Sequence, residues 1–199
     1  MTDFLLELLS EEIPARMQTK ARADLERLFA EQIAAAGLKA EALQTFSTPR
    51  RLALIARGLP ESTQAVSEEL KGPPADAPDA AIEGFLRKAG LTCDALETRE
   101  VKGRATLFAV INKPGRATAD VLADAIPAII RAFPWPKSMR WGAASQSTES
   151  LRWVRPLQGI IALLGGYVVP CEIDGLVAGT TTLGHRFHHK GPVTISGVE

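Results

Sequence analysis

The stretch "KGPPADAPDA", residues 71–80, constrains this chain more than any other. Pro73, Pro74 and Pro78 lock φ and lack an N–H, so the segment is expected to be a loop, neither helix nor central strand. It divides the chain into an N-terminal segment, 1–70, the Pro-rich loop, 71–80, and a second segment, 81–199.

Each segment carries its own periodic elements. "FLLELL" reads as a short buried strand. A helix is expected from "SEEIP", with Ser10 as its cap, Glu11 and Glu12 at the positive end of the helix dipole, and Pro14 in the first turn. Met17, Ala21, Leu25, Leu28, Phe29 and Ile33 continue at helical spacing, and Gly37 stops the run. "RRLALIARGL" alternates as a strand, introduced by Thr48-Pro49. "AAIEGFLRKAGL" is an amphipathic helix ending at Gly90, and "ATLFAVINKPG" a strand ending in a Lys-Pro-Gly turn. "TADVLADAIPAIIRAF" is a long helix capped by Thr118, with a kink or break expected at Pro127. "LQGIIALLGGYVVPCEI" is two apolar strands about Gly165-Gly166, a two-residue hairpin signal, and "TTLGHRFHH" continues a strand-rich end. Helices and strands mix without a βαβ repeat, so the class is α+β with a mainly antiparallel sheet and a division into two subdomains.

Lys+Arg 23 against Asp+Glu 23 excludes a generally basic protein, so a nucleic-acid site must be a local patch. Charge is indeed uneven. Residues 1–47 hold eight acids and five cations, whereas residues 131–190 hold seven cations and three acids, together with every Trp and His of the chain. Cys93 and Cys171 match no metal spacing and are expected to be reduced, buried thiols. The N-terminus, with Asp3 and Glu7 in its apolar run, lacks a signal peptide's basic start, and no apolar stretch reaches the ~20 residues that span a bilayer. A cytoplasmic chain, the front part of a longer protein, is the expectation.

The tryptophans sit among cations, in "FPWPKSMRWG" at 133–142 and "LRWVRP" at 151–156. Two explanations stand. Arg and Lys stems cover buried rings, or cations pair with phosphate while rings stack unpaired bases. "STPRRLAL" adds Arg50 and Arg51, which face opposite sides if both lie in a strand. "GHRFHH" offers His185, His188 and His189, but adjacent histidines diverge in a strand and no Cys or acid completes a zinc spacing, so no metal site is expected. Phosphate-binding, dinucleotide, nucleophile-elbow and zincin motifs are all missing from the sequence. Glu11 and Glu12 point about 100° apart on a helix and suit dipole partners better than an acid/base pair.

"ELLSEEIPARM", "STPRRLAL", "KGPP", "PKSMRWG", "WVRPLQGIIALLGG" and "GHRF" occur in that order. Together, from about residue 4 to the end, they resemble the N-terminal part of the beta subunit of bacterial heterotetrameric glycyl-tRNA synthetase. The resemblance implies an α₂β₂ class II ligase that joins glycine to tRNA-Gly. ATP and Mg²⁺ would be used on the separate alpha subunit, with no cofactor and no catalytic residue in this chain. It implies three partners (the alpha subunit, the remainder of the beta subunit and tRNA-Gly) and no membrane. An HD-like region and an anticodon-binding domain would lie outside this chain. The fold is expected to be similar to the B3/B4-like region of the phenylalanyl-tRNA synthetase beta subunit. Lys137, Arg140, Arg152 and Arg155 are the first candidates for RNA phosphate contact, followed by Arg50, Arg51 and Arg186, with Trp141 and Trp153 as buried anchors. Two competing readings are an assembly module without RNA contact and an editing-type hydrolase. Editing is disfavoured because a site for the smallest amino acid can exclude larger ones sterically.

Overall fold

A computed structural model describes residues 1–90, 92, 96–101, 104–142, 145, 147–185, 187–189 and 191–199. Over the described residues it is α+β, with three helices and mostly antiparallel sheet. The chain forms two compact units, 1–63 with 116–199, and 64–115. The first unit is thus built from both ends of the sequence, a division that does not fall in the Pro-rich stretch.

In the first unit, β1 (Thr2–Ser10), β2 (Ala42–Thr48), β3 (Arg51–Leu59) and β7 (Leu157–Leu164) pair antiparallel in the order β2-β3-β1-β7. Beyond β7 lie β10 (Leu176–Gly179), parallel to it, and β9 (Glu172–Ile173), while β8 (Tyr167–Val168) folds back on β7. Alternation along the strands sends Phe4, Leu6, Leu8, Leu52, Leu54 and Ala56 into one buried core. α1 (Ala15–Ala35) supplies Met17, Ala21, Leu25, Leu28, Phe29 and Ile33 to that core, as its spacing predicts. Its end is a Schellman cap: the Leu38 N–H donates to the Ile33 carbonyl at 2.8 Å and Gly37 N–H to Ala34 at 2.9 Å.

The start of α1 differs from expectation. Ser10 closes β1, buried, with its N–H donating to the Arg50 carbonyl at 2.8 Å, so strand pairing claims it and it cannot cap. The helix opens after Pro14, leaving Glu11 and Glu12 ahead of its first turn. α3 (Thr118–Ala132) likewise starts without a side-chain cap: Ala117 holds the cap position, and the Thr118 hydroxyl donates to the Pro60 carbonyl at 2.5 Å. It runs through Pro127 without a break. A mid-helix proline costs roughly 3 kcal/mol. Val121, Leu122, Ala125, Ile126, Ile129 and Ile130 all enter the core, and their burial outweighs that cost.

The β7–β8 hairpin turns on Gly165 (φ 56°) and Gly166 (φ 88°), two successive positive φ values that a type I′ turn needs and glycine tolerates. On the sheet face opposite the helices, Glu7 of β1 and Arg51 of β3 receive β11 (Thr181–Leu183), which pairs with β12 (Pro192–Thr194). The Thr182 hydroxyl donates to Glu7, and the Arg51 guanidinium to the Leu183 carbonyl.

The second unit is a three-stranded antiparallel sheet, β4 (Val66–Pro74), β6 (Arg104–Lys113) and β5 (Leu96–Val101) in the order β4-β6-β5, with α2 (Asp79–Ala89). Here the Pro-rich segment departs from the expected loop: residues 71–74 lie in β4 and residues 79–80 open α2. Pro73 and Pro74 are admissible because β4 is an edge strand whose register shifts between Lys71 and Pro74. α2 ends at Gly90 as predicted, with the cap N–H donating to the Leu86 carbonyl.

Candidate nucleic-acid interface

The tryptophan-rich stretch resolves mainly as scaffold. Trp153 is 0% exposed. Its ring lies 4.8 Å from Phe133 and 5.0 Å from Trp135, and Phe133 stacks on Trp135 at 4.6 Å. Backbone bonds between Met139 and Trp153 (2.8 and 3.2 Å) tie "PKSMRWG" to "LRWVRP". Trp135 and Trp141 pack, partly buried, against the same core. The rings are therefore anchors: Trp153 is buried as expected and offers no face to a base, whereas Trp141 is only partly buried.

The cations divide into two groups. Lys137 is exposed and has no ion-pair or hydrogen-bond partner among the described residues. Arg152, exposed beside it, donates through Nε to Ser138 Oγ at 3.1 Å. Arg155 is exposed, its single described bond a long 3.4 Å donation to the neighbouring Val154 carbonyl. Arg50 donates to Gln158 Oε1 at 3.0 Å. By contrast, Arg140 is half-buried and donates to the Thr148 carbonyl at 3.2 Å, which ties down its own loop. Arg51 bonds Leu183 and lies 3.7 Å from Glu7 Oε1, holding β11 to the sheet. Arg131 pairs with Asp174 at 3.2 Å, and Asp174 also accepts the Leu151 N–H at 2.8 Å. The positive balance of 131–190 is thus partly committed to structure. Arg186 and Lys190 lie outside the described residues, as does Cys93.

A second cluster was not legible from the sequence. A cleft of about 210 Å³ is lined by Leu9, Glu12, Arg50, Arg51, His185 and Phe187, among others. A wider opening of about 360 Å³ adjoins it, lined by Glu11, Glu12, Arg50 and Arg155. The motifs "SEEIP", "STPRR", "WVRP" and "GHRF", scattered over the chain, therefore meet at one end of the sheet. Glu11 and Glu12 belong to this rim instead of a helix dipole. The only hint in the sequence was that these fragments are polar or charged just where strands end. Phe187 is 77% exposed, with His185 5.8 Å from it and His188 a further 4.6 Å from His185. Among the described residues no group of three His, Cys, Asp or Glu is placed to hold a metal ion.

Two ionisations bear on the scaffold. The Gly58 N–H and then the Arg57 guanidinium hold the Asp3 carboxyl below its ordinary value, with bonds of 3.0 and 2.5 Å. Burial pushes the free Cys171 thiol up to about 11. No helix among the described residues is long and apolar enough to cross a membrane.

Residues 4–199 match the family described as glycyl-tRNA synthetase beta subunit. The chain is 55% identical to the glycine–tRNA ligase beta subunit of Cereibacter sphaeroides, over 100% of its own length and 28% of that protein's. The corresponding protein of Paracoccus denitrificans is 52% identical over 100% and 29% of the two lengths. That of Phenylobacterium zucineum is 54% identical over 96% and 27%. The chain spans under a third of the length of these relatives. With a match that runs through every motif described above, this chain belongs to the glycyl-tRNA synthetase beta subunit family, as an N-terminal portion of it.

Proposed function

We propose that this chain serves the ATP-dependent attachment of glycine to tRNA-Gly by binding and positioning tRNA and by helping assemble the enzyme. In this reading the aminoacylation site, with its ATP and Mg²⁺, lies on a separate alpha subunit of a cytoplasmic α₂β₂ class II ligase. The chain itself supplies no catalytic group. One observation carries the RNA-binding part: in the tryptophan-rich stretch the rings pack against the core while Lys137, Arg152 and Arg155 stay at the surface. Buried rings fix the loops, and fixed loops hold exposed cations at defined spacings, as phosphate binding requires.

The test is a tRNA-Gly titration at about 50 and about 200 mM salt, since pairing with phosphate releases counterions. Lys137→Ala/Arg152→Ala should weaken binding and lower the salt slope by about one for each cation removed. Lys137→Ala/Arg140→Ala should lower it less, because Arg140 is committed to Thr148. Salt-insensitive binding would remove the RNA role.

A second reading, an assembly surface, is favoured by the exposed side chains of Tyr167 (82%) and Val177 (65%) beside β7. It predicts alpha-subunit capture that is independent of salt and abolished by Tyr167→Asp/Val177→Asp.

A further inference from the structure

The cleft at the end of the sheet has features that a packing role does not explain. Its apolar lining includes Leu9, Pro49 and Leu183. Glu12, Arg50, His185 and Phe187 also line it, and Arg155 lines the adjoining opening with Glu11, Glu12 and Arg50. At about 210 Å³ it is smaller than the roughly 300–1,000 Å³ of sites for drug-sized ligands, so it admits one flat ring system and no helix.

The wall bearing the aromatics is held from below. Arg51 bonds the Leu183 carbonyl and Thr182 bonds Glu7, fixing the strand that leads into the turn. The His188 and His189 N–H groups both donate to the His185 carbonyl, at 2.9 and 2.8 Å. Gly184 allows this fold, since a Cβ there would sit 2.6 Å from that of His189. The Phe187 N–H donates to His185 Nδ1 at 3.3 Å, which makes Nδ1 the acceptor. A mostly exposed phenylalanine is therefore set on an anchored turn, at the mouth of a cleft with two arginines.

We infer that this cleft takes a single unpaired nucleotide of RNA, its base stacked on Phe187 and its phosphate held by Arg50 and Arg155. The inference rests on the tRNA-binding reading above and adds a strand state and a site to it. Aromatic faces stack any unpaired base, and guanidinium groups pair with phosphate. Arg155, with one long bond to a neighbouring carbonyl, has donors to give, and Arg50 uses one nitrogen on Gln158. The carboxylates of Glu11 and Glu12 line the same opening. They disfavour a continuous phosphate track and suit the amino edge of one inserted base, which donates to carboxylate. Duplex RNA presents neither a free face nor a free edge to such a cleft.

The test uses the full-length subunit assembled with its partner chains. Fluorescently labelled tetraribonucleotides of A and of C are titrated in, beside a short RNA duplex and an acidic heptapeptide as competitors. Phe187→Ala should weaken tetranucleotide binding about tenfold and leave its salt slope unchanged, because a ring releases no counterions. Phe187→Trp should retain binding and show quenched tryptophan emission on addition of RNA. Arg155→Ala should weaken binding and lower the slope by about one. The inference is overturned if Phe187→Ala binds like the parent, if Phe187→Trp emission ignores the tetranucleotides, or if duplex or acidic peptide competes as well as single strand. Failure of the broader reading appears separately, as intact tRNA-Gly whose binding is salt-insensitive.

Discussion

Two places in the first unit interleave cations with aromatic rings, and they use them in opposite ways. Around Trp153 the rings form the scaffold, and Lys137 and Arg152 project into solvent. Around Phe187 the ring projects, while Arg51 is drawn in to bond a carbonyl 132 residues away in sequence. A basic-aromatic stretch therefore does not say which partner faces outward. That depends on whether the ring sits over the core or at a strand end, beyond the reach of core side chains.

The sharpest way to break this contrast is stability. Trp153→Ala should cost roughly 3–5 kcal/mol, because a fully buried ring with two aromatic neighbours leaves a cavity. Phe187→Ala should stay within about 0.5 kcal/mol, as exposed substitutions do. Urea unfolding of both variants decides it, and equal losses would show that Phe187 is a core residue.

The next effect sharpens the core side of the contrast. The Cys171 thiol, raised to about 11, should react with iodoacetamide at pH 8 far more slowly in the native protein than in urea. Because its folded value lies above the ordinary thiol value of 9.0, its contribution to stability is fully present below pH 9 and is lost as pH rises toward 11. Mass-spectrometric labelling time courses, with and without denaturant, check the first point.

The smallest effect concerns the bonds that join the start of β1 to the end of β3. Asp3 has a lowered value, so its contribution is present above pH 3.8 and lost as pH falls through its folded value. Asp3→Asn should flatten the acid limb of Tm below about pH 3.8 while leaving the limb above pH 5 parallel to the parent. Parallel acid limbs would mean that the Gly58 and Arg57 bonds do not hold in solution.

Much of the fold was legible because it depends on local periodicity. The core face of α1, the alternation of β3, the hairpin at Gly165-Gly166 and the stop at Gly90 all follow from spacing and from residues that tolerate positive φ. Sequence and structure part company where a residue has a second, distant suitor. Ser10 is a good cap by type, but the backbone of Arg50 and the end of β1 claim it. Thr118 gives its hydroxyl to Pro60 for the same reason. Strand β2, "ALQTFST", carries little signal because an edge strand buries little: its largest apolar residue, Phe46, is 50% exposed, and Leu43 is only partly buried. Charge alone marks the candidate cations, and it cannot separate Lys137 from Arg140, although only the latter finds a carbonyl.

The sequence by itself determined the class, the helices with their buried faces, and, through the order of its motifs, the family. Those properties are written in neighbours three or four residues apart, or in single residues of unusual backbone freedom. Tertiary structure alone decided that the second unit is an insertion between 63 and 116, that Trp135 packs beside Trp153 against the core, and that residues 12, 50–51, 183–185 and 187 line one cleft, with 11 and 155 in the opening that adjoins it. Side chains more than a hundred residues apart meet there through strand register, and register is fixed by burial of the whole sheet face, which no local window contains.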